Sequence, residues 1–196
     1  MKTERLKHNQ NKSDESKTKL KQFILTMNDE NKFKFWLKTL ISSYSTIPEI
    51  VKTVDKIIEI QASSVSFVSD IYNKNGGTID QVERVIDLSE RKNSLLNIFI
   101  MTKKMLQSLP AEHFEFLERK FIYNWSNEEL SNYYEISLRT VYRKTDKIIS
   151  EVYEFCLKNK WTLKFIESQT KQEGWMKERY LKFVSDYLKN TNFKIK

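Results

Sequence analysis

The chain has 196 residues and a net charge of +8, with 34 basic against 26 acidic side chains. It contains only 3 glycines and 2 prolines, where an average chain of this length carries about 14 and about 10. Because tight turns depend on these two residues, the composition excludes turn-dense β-sandwiches and barrels and a glycine-rich phosphate loop. It predicts a few long helices, and the basic excess favours a polyanionic partner.

The cysteine and histidine counts and the apolar runs exclude further classes of protein. One cysteine, Cys156, leaves no internal disulfide and no cysteine zinc cluster. The two histidines, His8 and His113, are far apart in the sequence, so we predict no metal site and no cofactor. The polar, lysine-rich start is not a signal peptide, and no apolar run approaches the roughly 20 residues of a membrane span. We therefore expect a cytoplasmic protein without a membrane partner.

The first part of the chain is predicted to form a tail and two helices. Residues 1–17 are polar and predict a disordered basic tail. Helical spacing of apolar residues begins at Thr18, and residues 28–31 form a break with capping residues. A second helix then places six apolar or aromatic residues on one face: Phe33, Trp36, Leu37, Leu40, Ile41 and Tyr44.

Two long helices of similar length follow. The first starts near Pro48 and runs to about Tyr72, and residues 73–77 give a strong turn signal, Asn-Lys-Asn-Gly-Gly. The second runs from a cap at Thr78 or Asp80 to about residue 109, so the pair predicts a long antiparallel hairpin. The hairpin would be a scaffold, a partner-binding arm or a dimerisation element. The stripe predicted to be buried on its second helix is Val82, Val85, Ser89, Lys92, Leu96, Phe99, Lys103 and Leu106.

Charge changes sign sharply along the chain. Residues 1–38 carry a net +5, residues 39–110 are neutral, residues 111–136 carry −4 and residues 137–196 carry +7. Lysine outnumbers arginine 27 to 7, and a genome rich in lysine codons would also raise the lysine count. Such a bias does not explain why the charge changes sign at one point in the chain. A polyanion-binding surface that begins near Ser137 would explain it.

A helix-turn-helix pattern begins after Pro110. A helix over residues 111–122 is followed by Ser126, which is predicted to cap a short helix over 127–133, and by Ser137, which is predicted to cap a long helix. A short helix, a tight turn and a second helix with a basic exposed side are typical of this motif. The first helix supports the second, whose initial turns enter the major groove of DNA.

Ten residues of this motif are predicted to contact DNA. Arginine can donate two hydrogen bonds to guanine O6 and N7, and hydroxyl groups and lysines bind phosphates. No catalytic residue is predicted. The predicted DNA-binding residues are Ser126, Asn127, Ser137, Leu138, Arg139, Thr140, Tyr142, Arg143, Lys144 and Lys147.

Residues 126–143, SNEELSNYYEISLRTVYR, resemble the pattern S-x-x-E-I-A-x-x-L-G-I-S-x-x-T-V-Y-R of sigma-factor region-four-like helix-turn-helix domains. The chain is similar to phage transcription regulators of the ArpU and RinA type, which often carry a helical hairpin with a Gly-Gly turn before this motif. The resemblance covers about residues 45–157. It implies binding to double-stranded DNA, control of transcription, RNA polymerase as a further candidate partner, and no enzymatic activity. The chain departs from the pattern at Tyr134, at Glu135 in place of a turn glycine, and at Lys144 in place of an apolar residue.

The sequence thus predicts an all-α protein in four parts. They are the tail, N-terminal helices with the long hairpin (18–109), the helix-turn-helix (110–160) and a C-terminal helical extension (161–196). The expected function is sequence-specific binding of double-stranded DNA to regulate transcription. One alternative is a small sigma factor acting with core RNA polymerase, and another is a helical interaction protein with a degenerate helix-turn-helix. In a sigma factor, N-terminal aromatic residues would help to melt promoters: Phe33, Phe35, Trp36 and Tyr44.

Overall fold

The computed structural model describes residues 18–69 and 77–190. These residues are almost entirely helical and include no strand, so the predicted all-α class is confirmed for this part of the chain. The predicted tail and most of the predicted Gly-Gly turn lie outside the described residues. None of the described helices is long and apolar enough to cross a membrane.

The helices are numbered in chain order, and a single π-helical turn, Glu118–Ile122, continues α5 directly. The apolar spacing predicted one helix over residues 111–122 without this turn. The helices are α1 (18–26), α2 (Asp29–Ser43), α3 (Ile47–Ser69), α4 (Gly77–Gln107), α5 (Ala111–Leu117), α6 (Asn127–Tyr133), α7 (Leu138–Lys158), α8 (Leu163–Gln169) and α9 (Gly174–Asn190).

Short polar side chains begin several of these helices. The Asn28 side chain accepts a hydrogen bond from the backbone N–H of Asn31 at 2.9 Å and caps α2. Thr162 caps α8 in the same way, accepting from the N–H of Phe165 at 3.2 Å. Each cap satisfies a backbone donor that the first helical turn leaves unpaired. The cap at Asn28 lies in the break predicted over residues 28–31.

Helices α3 and α4 lie against each other in antiparallel order. The Tyr44 ring, just before α3, stacks on Phe99 with ring centroids 4.8 Å apart. Further along α3, Asp55 forms an ion pair at 2.5 Å with Lys92, which precedes Phe99 in α4. The predicted start of α4 was wrong, because the helix already begins at Gly77 and both proposed cap residues lie inside it.

The predicted buried stripe of α4 was wrong at Val82 and Lys103, which are exposed, and it missed the most deeply buried residues of the helix; its other members are buried or partly buried. Val82 is 45% exposed, whereas Leu95, Ile98 and Met105 are completely buried. Helix α4 contacts α3 on one side and also contacts α2, α7 and α8. Because more than one face of the same helix is covered, a single apolar stripe could not identify its buried residues.

One cluster of buried apolar side chains joins all the helical segments. It extends from Phe23 in α1 to Val184 in α9. Helix α2 contacts α4, α7, α8, α9 and the π-helical turn, and its Leu37, Leu40 and Ile41 are fully buried. The three sequence segments predicted to follow the tail therefore contribute side chains to a shared core.

A buried carboxylate connects α4 to the start of α9. Glu173 is 1% exposed. Arg91 in α4 donates two hydrogen bonds to it, from Nε at 2.7 Å and from Nη2 at 3.0 Å. The indole N–H of Trp175 donates a third at 2.6 Å. Since both carboxylate oxygens are satisfied, this charge can be buried and still stabilise the contact between the two helices.

Candidate nucleic-acid interface

Helices α6 and α7 are arranged as a short helix, a tight turn and a long helix. Ser126 and Glu129 form a capping box at the start of α6: the Ser126 hydroxyl accepts from the N–H of Glu129 at 3.1 Å, and the Glu129 carboxylate accepts from the N–H of Ser126 at 2.6 Å. The hydrogen bond from the Ser126 backbone lowers the pKa of Glu129. At the start of α7, the Ser137 hydroxyl accepts from the N–H of Thr140 at 3.2 Å. Both predicted serine caps are confirmed.

The turn between the two helices passes through a left-handed residue. Glu135 has a φ of 52°, which costs free energy for a residue with a Cβ atom. The N–H of Ile136 donates to the carbonyl of Ser131 at 3.0 Å, and the Ser131 hydroxyl donates to the carbonyl of Ile136 at 2.5 Å. These bonds hold the turn closed although the glycine of the family pattern is absent.

We expect the Glu135→Gly substitution to raise the free energy of unfolding by about 1 kcal/mol, because glycine adopts a positive φ without steric strain. Urea unfolding followed by circular dichroism would measure the change. Glu135→Ala is the matched control, since it removes the same charge and keeps the Cβ atom. Equal stabilisation by both substitutions would show that charge, and not backbone strain, is responsible.

Helix α7 has a buried face and a basic face. Its buried residues are Val141, Thr145, Ile148, Ile149, Val152 and Cys156. Arg139, Arg143 and Lys147 are exposed and spaced four residues apart, which places them on the side opposite this buried face. We call these three residues the basic stripe. No described hydrogen bond or ion pair involves any of them, so within the described part of the chain their charges are not neutralised by a carboxylate contact.

Lys144, also predicted to contact DNA, differs from the basic stripe because its ammonium group has protein partners. Its ammonium group forms an ion pair with Glu112 in α5 and lies over the rings of Phe116 and Tyr134, at 5.2 and 5.1 Å from their centroids. The hydrogen bond from Lys144 also lowers the pKa of Glu112. Lys144 therefore fixes α7 to α5 and α6, which explains how a lysine occupies a position where the family pattern has an apolar residue.

The other predicted contacts divide into exposed groups and groups with protein partners. Asn127 is half-buried and its side-chain oxygen accepts a hydrogen bond from Lys120. The hydroxyls of Ser137 and Thr140 hydrogen-bond to each other at 2.8 Å, while both residues remain exposed. The exposed residues at the cap and on the first three turns of α7 are Ser137, Leu138, Arg139, Thr140, Tyr142, Arg143, Asp146 and Lys147. Asp146 is the acidic member of this set, and it pairs with Lys38 at 3.4 Å.

Arg119 positions the motif and was missed by the sequence analysis. Its guanidinium lies between the rings of Trp125 and Tyr133, at 4.7 and 4.1 Å from their centroids. It also donates to Glu115 at 2.7 Å and to the Tyr133 hydroxyl at 2.9 Å. The π-helical turn thus holds both ends of α6. In the sequence, Arg119 follows Glu115 and precedes Trp125 and Tyr133. An arginine with such neighbours is too common to identify this role.

No protein-family model matches the chain, and no curated protein and no solved structure matches it. The resemblance to sigma region-four-like proteins therefore remains a prediction of the sequence.

Proposed function

We propose that the chain is a transcription regulator that binds double-stranded DNA through α6 and α7, with the first turns of α7 in the major groove. The observation that carries this proposal is the basic stripe, whose three exposed cations share one side of the helix and have no described ion-pair partner. Cations that share one helical face without a described ion-pair contact suit a polyanionic partner. The proposed function is binding and not catalysis.

Four exposed residues of α7 have chemically suitable roles in this proposal. Arg139 and Arg143 can each donate two hydrogen bonds to a guanine edge. Leu138, 43% exposed at the first position of α7, would contact a thymine methyl group. Lys147, one turn further along, would bind a phosphate. The backbone N–H groups at the start of α7 would bind a second phosphate.

A competition experiment tests whether binding is sequence-specific. The protein would be used to enrich duplexes from a random pool, and the enriched duplex would then compete against bulk genomic DNA at physiological salt. We expect the enriched duplex to bind at least about 1,000-fold more tightly than bulk DNA. Equal affinities for the two would reject a sequence-specific regulator.

The sigma-factor alternative is less favoured, because the aromatic residues that would help it to melt promoters are in the core. Phe33, Phe35 and Trp36 are each less than 10% exposed, and Tyr44 stacks on Phe99. Side chains buried in this way are not available to stack on unpaired bases. Transcription with purified core RNA polymerase would test this alternative directly, and RNA polymerase stays a candidate partner of a regulator.

A homodimer through the α3–α4 hairpin would suit this function, since paired helix-turn-helix units read two half-sites. The hairpin exposes large apolar side chains: Ile60 is 70%, Ile79 68% and Ile86 51% exposed. We propose a cytoplasmic location for this function, as expected from the single cysteine. Sedimentation velocity over a range of protein concentrations would measure the dimer, and a monomer at every concentration would reject it.

A further inference from the structure

A cavity beside α7 is separate from the basic stripe. It is open to solvent, has a volume of about 490 Å³ and lies between α2, the π-helical turn, α7 and α9. This volume is within the range of about 300–1,000 Å³ that small-molecule sites occupy. Its walls are mainly aromatic, with rings contributed by Phe35, Phe121, Tyr142, Phe183 and Tyr187. An aromatic ring of a ligand would find several ring faces and edges to pack against.

The charged residues of the cavity wall differ in their partners. Lys38 forms an ion pair with Asp146 at 3.4 Å, and Asp186 forms one with Lys189 at 3.5 Å. Lys120 has no described ion-pair partner. Its ammonium group instead donates to the side-chain oxygen of Asn127 and lies 5.8 Å from the centroid of the Phe121 ring.

Lys120 and Phe121 both belong to the π-helical turn, Glu118–Ile122. Single π-helical turns are rare in proteins overall, but where they occur they are often part of a functional site. In this protein the turn contributes a cation and an aromatic ring to the same cavity. An unusual backbone element, a cavity and a lysine without a carboxylate partner therefore coincide.

The electrostatic surroundings of Lys120 favour an added negative charge. Burial, together with the positive charge of Lys38, lowers the pKa of Lys120 to about 8, while Asp146 and Glu128 act in the opposite direction. Below a pH of about 8, the Lys120 ammonium group is mostly protonated. No described carboxylate is in direct contact with it. A ligand with a carboxylate group would provide this contact. Asp146 and Asp186 in the cavity wall would disfavour a more highly charged phosphate.

We propose that this cavity binds a small aromatic monocarboxylate, with its ring among the aromatic walls and its carboxylate paired with Lys120. The ligand would also lie beside Tyr142 of α7, and Asn127 would link Lys120 to α6. The proposal does not depend on DNA binding, so the two can fail separately.

Calorimetric titration of the full chain with benzoate at pH 7 tests the proposal, with benzyl alcohol as the neutral counterpart. We expect saturable binding of benzoate, at least about tenfold tighter than binding of benzyl alcohol, as a charge-assisted hydrogen bond predicts. Lys120→Met should remove this preference. Lys182→Met, which removes the charge of an exposed lysine on α9, should leave it unchanged. Absence of benzoate binding, or equal affinities for the two probes in the wild-type protein, would overturn the proposal.

The pH dependence of benzoate binding gives a second readout that needs no variant. Benzoate keeps its charge between pH 6 and 10, so only the protein changes. Binding to the ammonium form requires the affinity to fall as the pH rises through the pKa of Lys120, about 8, and bound benzoate should raise that pKa. Nuclear magnetic resonance of the lysine side chains would follow the titration. An affinity that stays constant through this range would contradict the pairing with Lys120.

Discussion

The Arg143→Ala protein is expected to retain binding to duplex DNA but to lose about 1–3 kcal/mol of discrimination between its preferred site and unrelated sequence. Arg143 is exposed on the basic face of α7, one turn beyond Arg139, and has no described hydrogen-bond or ion-pair partner. It is therefore free to donate two hydrogen bonds to a base edge. Fluorescence anisotropy with the enriched duplex and with a scrambled duplex would measure the two affinities and their ratio.

Lys147→Ala is the matched comparison from the same face of α7. A phosphate contact carries no sequence information, so this substitution should weaken binding to both duplexes by the same factor and leave their ratio unchanged. If both variants behaved like the wild-type protein, the assignment of α7 as the recognition helix would be wrong. A loss of discrimination in Lys147→Ala alone would move base recognition to the third turn of α7.

The Glu173→Ala substitution is expected to lower the free energy of unfolding by about 2–3 kcal/mol, because it leaves two partly buried donor groups, one of them charged, without their acceptor. Arg91 and Trp175 both donate to this carboxylate, which is 1% exposed. Loss of the contact between α4 and the start of α9 would also loosen the core. Urea unfolding followed by circular dichroism and by tryptophan fluorescence would measure the effect.

Glu49→Ala provides the control for this prediction. Glu49 pairs with Lys52 at 2.9 Å, but both side chains are largely exposed, so the change should cost less than about 1 kcal/mol. A similar small loss for Glu173→Ala would mean that the buried carboxylate contributes little to stability.

Local signals in the sequence predicted the motif better than the packing around it. Ser126 and Ser137 cap α6 and α7 as predicted, because a serine cap depends on backbone groups only three residues away. The boundaries of α6 follow for the same reason.

Interactions between distant residues could not be predicted from spacing. Lys144 was assigned to DNA because it follows Arg143 in a basic segment, yet its partner Glu112 is 32 residues earlier in the chain. Arg91 and Glu173 are 82 residues apart. The π-helical turn has no signal in the apolar pattern, and with it Lys120 and the cavity escaped detection. Each of these features depends on how helices that are far apart in the sequence pack against one another.

The salt dependence of DNA binding tests the proposed function most directly. The wild-type protein and a variant in which Arg139, Arg143 and Lys147 are all alanine would be titrated into the same labelled duplex over a series of salt concentrations. Counterions are released where cations neutralise phosphates, so log affinity of the wild-type protein should fall steeply as log salt rises. The triple variant should have a slope shallower by at least about 1, because it lacks the phosphate contact of Lys147. No binding of the wild-type protein at low salt, or the same slope for both proteins, would contradict a DNA interface on α7.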